Sequence, residues 1–207
     1  MRVLLAALLL GWVGFMGRPV HGQVPEPLPR ICREDDAAQL CIGPFYAMRS
    51  QPEVVYMFGD VLDDAPSHLL RILRQMPKAD LLVLHSPGGL IDPALLLAKE
   101  VRRRGLSTYI PAGYSCDSAC SYIFLAGIER KVDGTLGVHQ VWNAAGDAVA
   151  AQRSFADVFS TVREFGVSDS VISLMLSTPP DEMHFFTRQE LASLGIEAGE
   201  PLARPAA

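Results

Sequence analysis

Apolar runs and amphipathic stretches alternate along the chain between residues 54 and 196. Runs of four or five residues that are mostly apolar or β-branched predict strands buried on both faces of a sheet. The stretches between these runs have apolar residues at helical spacing and predict helices. This alternation indicates an α/β fold with a mostly parallel sheet and right-handed crossovers. The predicted strands cover residues 54–58, 81–84, 107–110 and 134–138, and the predicted helices between them cover 66–75, 93–104 and 117–125.

The pattern becomes helical in the last third of the chain. Phenylalanines and valines recur at three- and four-residue intervals and predict an amphipathic helix over residues 148–165. A second helix is expected over residues 168–176. Thr187 and Glu190 have the spacing of a capping box, which predicts a last helix that stops at Gly195.

The beginning of the chain has the features of a secretory signal peptide. Arg2 provides a basic start, an apolar stretch over residues 3–16 follows, and small residues precede Gln23. The apolar stretch is too short for a membrane-spanning helix, and no cysteine follows the expected cut to carry a lipid anchor. We therefore expect a periplasmic or secreted protein with no membrane association after cleavage. The predicted divisions are a signal peptide over 1–22, a proline-rich leader and cysteine loop over 23–50, an α/β domain over 51–200 and a loose tail over 201–207.

The charge balance argues against some classes of partner. The chain has 18 basic and 23 acidic residues, a formal net charge of −5, and signal-peptide cleavage would remove two of the basic residues. A negative chain does not favour nucleic acid or an anionic membrane surface as a partner. The length of 207 residues suits one substantial core rather than two domains.

The four cysteines fall in two pairs along the chain. Cys32 and Cys41 bracket a polar stretch, and Cys116 and Cys120 lie four residues apart. In an oxidising compartment, we favour a disulfide within each pair. A crossed pairing that ties the leader to the second pair is the competing arrangement. No metal site is expected, because no histidine lies at ligand spacing beside these cysteines.

A glycine turn directly follows the strand predicted at residues 81–84. Its sequence is SPGG, with Gly88 as the first glycine, and Asp92 is the expected N-cap of the next helix. Open α/β sheets bind ligands at the carboxyl ends of their strands. Glycines there leave backbone N–H groups uncovered for an anion or a developing oxyanion. The turn is a candidate oxyanion site, although PGG alone is more often an ordinary turn before a helix.

Ser118 and His139 are the candidate nucleophile and base. Ser118 lies at the start of the apolar helix predicted over 117–125, beside backbone N–H groups that have no helical partner. Ser115 and Ser121 compete with it on sequence alone. His139 follows a predicted strand, where its imidazole could accept a proton from a serine.

The run SPGG, followed by SACSYIFLAG and then by HQ, resembles the proteolytic subunit of Clp proteases within the ClpP/crotonase superfamily. The resemblance covers residues from about 54 to 196 and implies repeated ββα and βαβ units with C-terminal helices. By position, it implies that Ser118 is the nucleophile, that His139 is the base, and that the N–H groups of Gly88 and Ala119 form the oxyanion hole. It also implies a peptide or protein substrate, a homo-oligomer and no cofactor.

Serine hydrolases of this kind have a third catalytic residue, a carboxylate that orients the histidine. At this position the sequence departs from the resemblance. The register of DEMHFFTRQELASLGI places Met183 where the superfamily has its catalytic aspartate. Asp181 and Glu182 are the neighbouring carboxylates, and Asp181 is the candidate for orienting His139. No ATPase-docking segment is recognisable in the sequence, so we expect activity that is independent of ATP.

Three functional hypotheses remain open from the sequence. An exported, ATP-independent serine peptidase uses all the candidate residues. A non-catalytic binding or assembly protein on the same scaffold would account for Met183 and for the cysteines that flank Ser118. An acyl-CoA hydratase or isomerase is disfavoured, because coenzyme A is a cytosolic cofactor.

Overall fold

The computed structural model describes residues 38–141 and 148–199. The predicted signal peptide, Cys32, the predicted leader up to residue 37 and the predicted tail over 201–207 lie outside these residues.

The main sheet has six strands, of which those in its centre are parallel. In chain order they are β1 (Gln39–Ile42), β2 (Phe45–Met48), β3 (Val54–Phe58), β4 (Leu81–His85), β5 (Ser107–Ile110) and β7 (Arg130–Val132), and they lie in this order across the sheet. Strands β3, β4, β5 and β7 pair in parallel, and β1 and β2 add an antiparallel hairpin at one edge. This arrangement confirms the predicted α/β fold with a mostly parallel sheet.

A second sheet of three short strands brings the candidate site together. Its strands are β6 (Ser115–Asp117), β8 (Thr135–Val138) and β9 (His184–Phe185). Strand β8 pairs in parallel with β6 and antiparallel with β9. A bridge between Ser86 and Cys116 connects the end of β4 to β6. The glycine turn, Ser118 and His139 therefore all lie where the two sheets meet.

The six helices described by the structure match the predicted ones within a few residues. They are α1 (Ala65–Gln75), α2 (Ile91–Arg104), α3 (Ala119–Leu125), α4 (Ala148–Glu164), α5 (Asp169–Ser177) and α6 (Arg188–Ser193). Gly105 ends α2 in the left-handed conformation that glycine adopts most readily. The predicted capping box begins α6, since Thr187 accepts from the Glu190 N–H and the Glu190 carboxylate accepts from the Thr187 N–H.

Helix α3 lies in the centre of the apolar core. All seven of its residues are buried, and it packs against α2 and β6. A short helix that is apolar on every side is stable only when other elements surround it. Burial of a side chain such as Phe124 is worth about 1.5–3 kcal/mol. This packing fixes the position of the residue that precedes the helix, which is Ser118.

Three local predictions differ from the structure. The main sheet extends N-terminal of residue 51, because the chain reverses at Gly43 and forms the β1–β2 hairpin. Helix α3 begins at Ala119 rather than at residue 117, because residues 115–117 pair with β8 as a strand. Asp92 is not the N-cap of α2; the helix begins earlier, with Leu90 as its N-cap.

No helix within residues 38–141 and 148–199 has the length and apolar character needed to cross a membrane. In the same part of the chain, no group of three or more histidine, cysteine, aspartate or glutamate side chains is arranged to hold a metal ion.

Candidate active site

Ser118 connects β6 to α3 in a backbone conformation that is rare for a residue with a side chain. Its φ is 54° and its ψ is −126°, and no other described residue except glycine has a positive φ. Backbone strain of this kind persists only where surrounding contacts hold it, and it is concentrated at catalytic sites. Here the Ser118 N–H donates to the carbonyl oxygen of Gly137 at 3.0 Å. On the C-terminal side of Ser118, the burial of α3 in the core fixes the backbone. The sharp turn leaves the Ser118 side chain half-buried.

His139 contacts the Ser118 hydroxyl directly. The distance from His139 Nε2 to Ser118 Oγ is 2.7 Å, which is hydrogen-bond distance. Burial lowers the pKa of His139 below its ordinary value, and an electrostatic interaction with the neighbouring Gln140 backbone opposes this shift in part. A lowered pKa keeps the imidazole neutral near pH 7, in the form that can accept a proton. Ser118 and His139 are therefore in the direct contact that a serine nucleophile and a histidine base require.

The two competing serines have other partners. Ser121 is buried in α3, and its hydroxyl donates to the Ser118 carbonyl oxygen at 2.6 Å. Ser115 lies on β6 and its side chain interacts with Asp117. Ser118 is thus the one of the three whose hydroxyl meets His139.

Gln140 anchors the segment that carries the histidine. Its backbone N–H donates to the carbonyl oxygen of Thr178 at 3.0 Å, and its side-chain amide donates to that of Leu176 at 2.7 Å. Both acceptors lie at the end of α5, where helical carbonyl groups lack partners within the helix. The glutamine next to His139 therefore ties the end of β8 to α5 and helps to fix the position of the imidazole.

The two predicted oxyanion donors lie next to each other. A Cβ atom built on Gly88 would be 2.8 Å from the Cβ of Ser118 and 2.9 Å from the Ala119 backbone nitrogen. Gly88 has a φ of 100°, which favours glycine. As the first residue of α3, Ala119 has an N–H without a helical acceptor, and no side-chain acceptor binds it within the described residues. Only a glycine at position 88 allows the backbone to approach Ser118 and the Ala119 N–H this closely.

Ser86 is a residue of this site that the sequence analysis did not single out. It is fully buried, and its hydroxyl oxygen accepts from the Gly88 N–H at 3.1 Å. The Gly88 N–H thus already donates to Ser86. To bind an oxyanion, it must donate to both acceptors or give up the bond to Ser86. A serine two residues before a glycine is a common turn arrangement, so the SPGG run itself contained this signal.

The structure does not join Asp181 to His139. His139 Nδ1 is shielded from solvent and has no hydrogen-bond partner among the described residues. Asp181 and Glu182 are both exposed, because the chain turns there before β9 begins. The pairing of Val138 with His184, continued by one residue, brings Met183 opposite His139. The prediction that Asp181 orients the imidazole is therefore wrong for this structure, and the prediction that Met183 lies beside His139 agrees with the register.

A disulfide joins Cys116 to Cys120 around Ser118. Both cysteines are fully buried, and their Cα atoms are 5.2 Å apart. This pairing is the predicted one and excludes the crossed alternative. Cys41 is also disulfide-bonded, while the predicted partner Cys32 lies outside the described residues.

Comparison with known proteins gives matches at the level of structure. No protein-family model matches the sequence, and no curated protein sequence matches it. One similar solved structure is a membrane-bound stomatin-specific protease, 1510-N, in a serine-to-alanine mutant form. It shares 18% sequence identity, with a TM-score of 0.50, over 69% of this chain and 75% of that protein.

A second similar structure is a mutant form of ClpP1 from Listeria monocytogenes. It shares 17% identity, with a TM-score of 0.53, over 71% of this chain and 90% of that protein. At such identities the likeness establishes the fold and leaves the chemistry to be argued from the site. The chain therefore has the ClpP-like α/β fold.

Proposed function

We propose that the protein is an exported serine peptidase that acts without ATP. The observation that carries this proposal is the 2.7 Å contact between His139 Nε2 and Ser118 Oγ at a strained strand-to-helix turn. A hydroxyl, a neutral imidazole and adjacent backbone N–H groups are the elements of acyl transfer by a serine. The ClpP-like fold, shared with a stomatin-specific protease and with ClpP1, supports the same reaction class.

The proposed reaction begins with proton transfer from Ser118 Oγ to His139 Nε2. The oxygen attacks the carbonyl carbon of a peptide, and the carbonyl oxygen becomes an oxyanion. The Ala119 N–H donates to this oxyanion, and the Gly88 N–H joins it by turning from Ser86 Oγ. The imidazolium then protonates the leaving amine, and water hydrolyses the acyl-enzyme through the same two residues. A donor of this kind is typically worth about 3 kcal/mol in the transition state.

Export is the second part of the proposal and rests on the predicted signal peptide over residues 1–22. The buried disulfide between Cys116 and Cys120 supports it, because disulfides persist in oxidising compartments. Independence from ATP follows from the proposed compartment, since ATP is supplied in the cytosol. We also propose that the substrate is a peptide or protein and that the chain forms a homo-oligomer.

Reaction with a fluorophosphonate probe tests the proposed nucleophile. The purified wild-type protein is expected to be labelled at Ser118, and Ser118→Ala is expected to lose labelling completely. Ser160→Ala is a matched control, since Ser160 is an exposed serine on α4 whose hydroxyl bonds only within its own helix. Unlabelled wild-type protein, or a Ser118→Ala variant that still cleaves a casein substrate, would contradict the assignment.

A non-catalytic binding or assembly protein is the second candidate function. Two observations favour it: the Gly88 N–H already has an acceptor in Ser86, and His139 Nδ1 has no partner among the described residues. Such a protein would keep the scaffold and leave Ser118 inert. The probe experiment separates the two functions, because an inert serine gives no labelling at any pH between about 5 and 8, the range in which a histidine base normally titrates.

A further inference from the structure

The base of a serine hydrolase needs support at the nitrogen that faces away from the serine. When His139 accepts the Ser118 proton at Nε2, its Nδ1 must carry a hydrogen and the ring becomes positively charged. A neighbouring carboxylate holds the ring in this form and stabilises the charge. Asp181 does not contact His139, and Met183 lies opposite it, so a carboxylate has to come from elsewhere in the structure.

Asp117, directly before the nucleophile, has an oxygen without a partner. Its Oδ1 is shielded from solvent and accepts no hydrogen bond within the described residues. Buried polar atoms in folded proteins almost always have a partner, and the exceptions require an explanation. His139 Nδ1 is in the same condition. An acceptor and a potential donor at one site therefore both lack partners.

Gly137 shows where the Asp117 carboxylate lies. A Cβ atom built on Gly137 would be 2.7 Å from Asp117 Oδ1 and 2.9 Å from the Sδ atom of Met183. Gly137 has no positive φ, so its backbone conformation does not require glycine. Glycine is required here because no space is left for a side chain, which would displace both the Asp117 carboxylate and Met183. The carboxylate and Met183 thus occupy the volume that a side chain at 137 would fill.

The register of the small sheet places this volume beside the histidine. Asp117 is paired with Gly137 across β6 and β8, and the β8–β9 pairing, continued by one residue beyond Val138 and His184, brings Met183 opposite His139. His139 directly follows β8, two residues after Gly137, so the alternation of side chains along the strand, continued by one residue, puts its position on the face of Gly137. The Asp117 carboxylate and Met183 therefore lie on the face of the sheet toward which the His139 side chain is expected to point.

We propose that Asp117 is the positioning residue for His139, supplying from the strand before the nucleophile the carboxylate that position 183 does not provide. This inference rests on the proposed function, because support of the imidazolium matters only if His139 acts as a base. Asp117 acts through its negative charge, which favours the protonated imidazole formed when Ser118 attacks. Gly137 is then required to admit the carboxylate to this face.

The surroundings of Asp117 act on its ionisation in both directions. Burial raises the pKa of Asp117, whereas the Ser115 side chain and the charge of His85 oppose this rise. His85 on β4 is the titratable group whose charge acts on Asp117, and its Nδ1 lies 3.2 Å from the Ser115 backbone nitrogen. Water screens the shielded Oδ1 of half-buried Asp117 less than it screens the exposed carboxylate of Asp181.

Titration of the His139 imidazole by NMR tests the proposal directly. Asp117→Asn is expected to lower the pKa of His139 by about one unit, because it removes a negative charge that favours the imidazolium. Asp181→Asn is the matched control and is expected to leave the His139 pKa unchanged. Gly137→Ala provides a second test, since its methyl group would displace the carboxylate and lower the pKa in the same direction. An unchanged His139 pKa in Asp117→Asn or, if that variant does not fold, in Gly137→Ala overturns the proposal.

Rescue distinguishes positioning from a structural role. Asp117→Asn is expected to slow fluorophosphonate labelling about tenfold or more, and Asp117→Asn with Met183→Asp is expected to recover most of that loss, because the new carboxylate lies opposite His139. Slow labelling that Met183→Asp does not improve contradicts the inference. Absent labelling of the wild type would reject the peptidase proposal instead, and the NMR titration would still decide whether Asp117 acts on His139.

Discussion

Cys116 and Cys120 form a disulfide whose closed loop has Ser118 at its midpoint. One cysteine lies on β6 and the other in the first turn of α3, so the bond ties together the two elements that meet at the strained serine. The main-chain bond from the Ser118 N–H to Gly137 and the packing of α3 act on the same turn. The disulfide therefore restrains the conformation in which Ser118 reaches His139.

Removal of this disulfide is expected to reduce both stability and reactivity. The double variant Cys116→Ala, Cys120→Ala should lose about 2 kcal/mol of unfolding free energy, the amount expected for a short closed loop. It should also react more slowly with a fluorophosphonate, since the strained Ser118 turn can then relax. Urea unfolding and labelling rates measure the two effects. A double variant that is less stable but labels at the wild-type rate would show that the bond contributes only to stability.

Gly88→Ala is expected to disable the oxyanion side of the site. The added methyl group would approach Ser118 and the Ala119 nitrogen within 3 Å, at a φ that side chains avoid. Loss of an oxyanion donor typically costs a factor of 10² to 10³ in rate, and the labelling rate should fall by about that factor.

Gly113→Ala is the control for Gly88→Ala. Gly113 also has a positive φ, but no atom lies within 4 Å of an added Cβ. Backbone strain alone should therefore leave the labelling rate close to that of the wild type. Equal losses in the two variants would contradict a specific role for Gly88.

The rate of labelling should follow the ionisation of His139. Burial lowers its pKa below 6.5, and the neutral form is the base. As the pH falls through this lowered pKa, the imidazole becomes protonated and the rate should decrease; above it, the rate should be constant. The midpoint of the rate profile is therefore expected below pH 6.5, measured with the probe against Ser118→Ala as background. A midpoint above 6.5 would contradict a base whose pKa is governed by burial.

Arg130 is expected to be important for stability rather than for chemistry. It is buried, and its guanidinium donates to the carbonyl oxygens of Ile196 at 2.6 Å and of Leu125, Gly127 and Gly195 at 3.3 Å. Arg130→Met leaves these acceptors without their donor and should cost about 3 kcal/mol of unfolding free energy.

Arg103→Met is the control for Arg130→Met. Arg103 is exposed and bonds Glu100 at the surface of α2, so the loss of unfolding free energy should be much smaller than in Arg130→Met. Denaturant unfolding of the two variants measures the difference. Similar losses would show that the buried guanidinium network contributes little.

Local patterns in the sequence were sufficient for most of the helices and the central strands. The strands β3, β4 and β5 are runs of buried residues, and amphipathic or capped stretches gave α1, α2 and α6. Periodicity does not identify strands of two or three residues, so β6, β7 and β9 were not predicted. The β1–β2 hairpin was missed as well, because its neighbouring cysteine loop resembled a leader.

The sequence by itself determined the α/β alternation, the pairing of Cys116 with Cys120 as the favoured disulfide, and Ser118 and His139 as candidates. Only the tertiary structure decided that Asp181 stays in solvent, that Ser86 accepts from Gly88, and that Asp117 lies over Gly137. Secondary structure depends on neighbours a few residues apart, whereas these contacts depend on the register of strands that are distant in the chain. A register is set by the packing of the whole core, so no local pattern could reveal it.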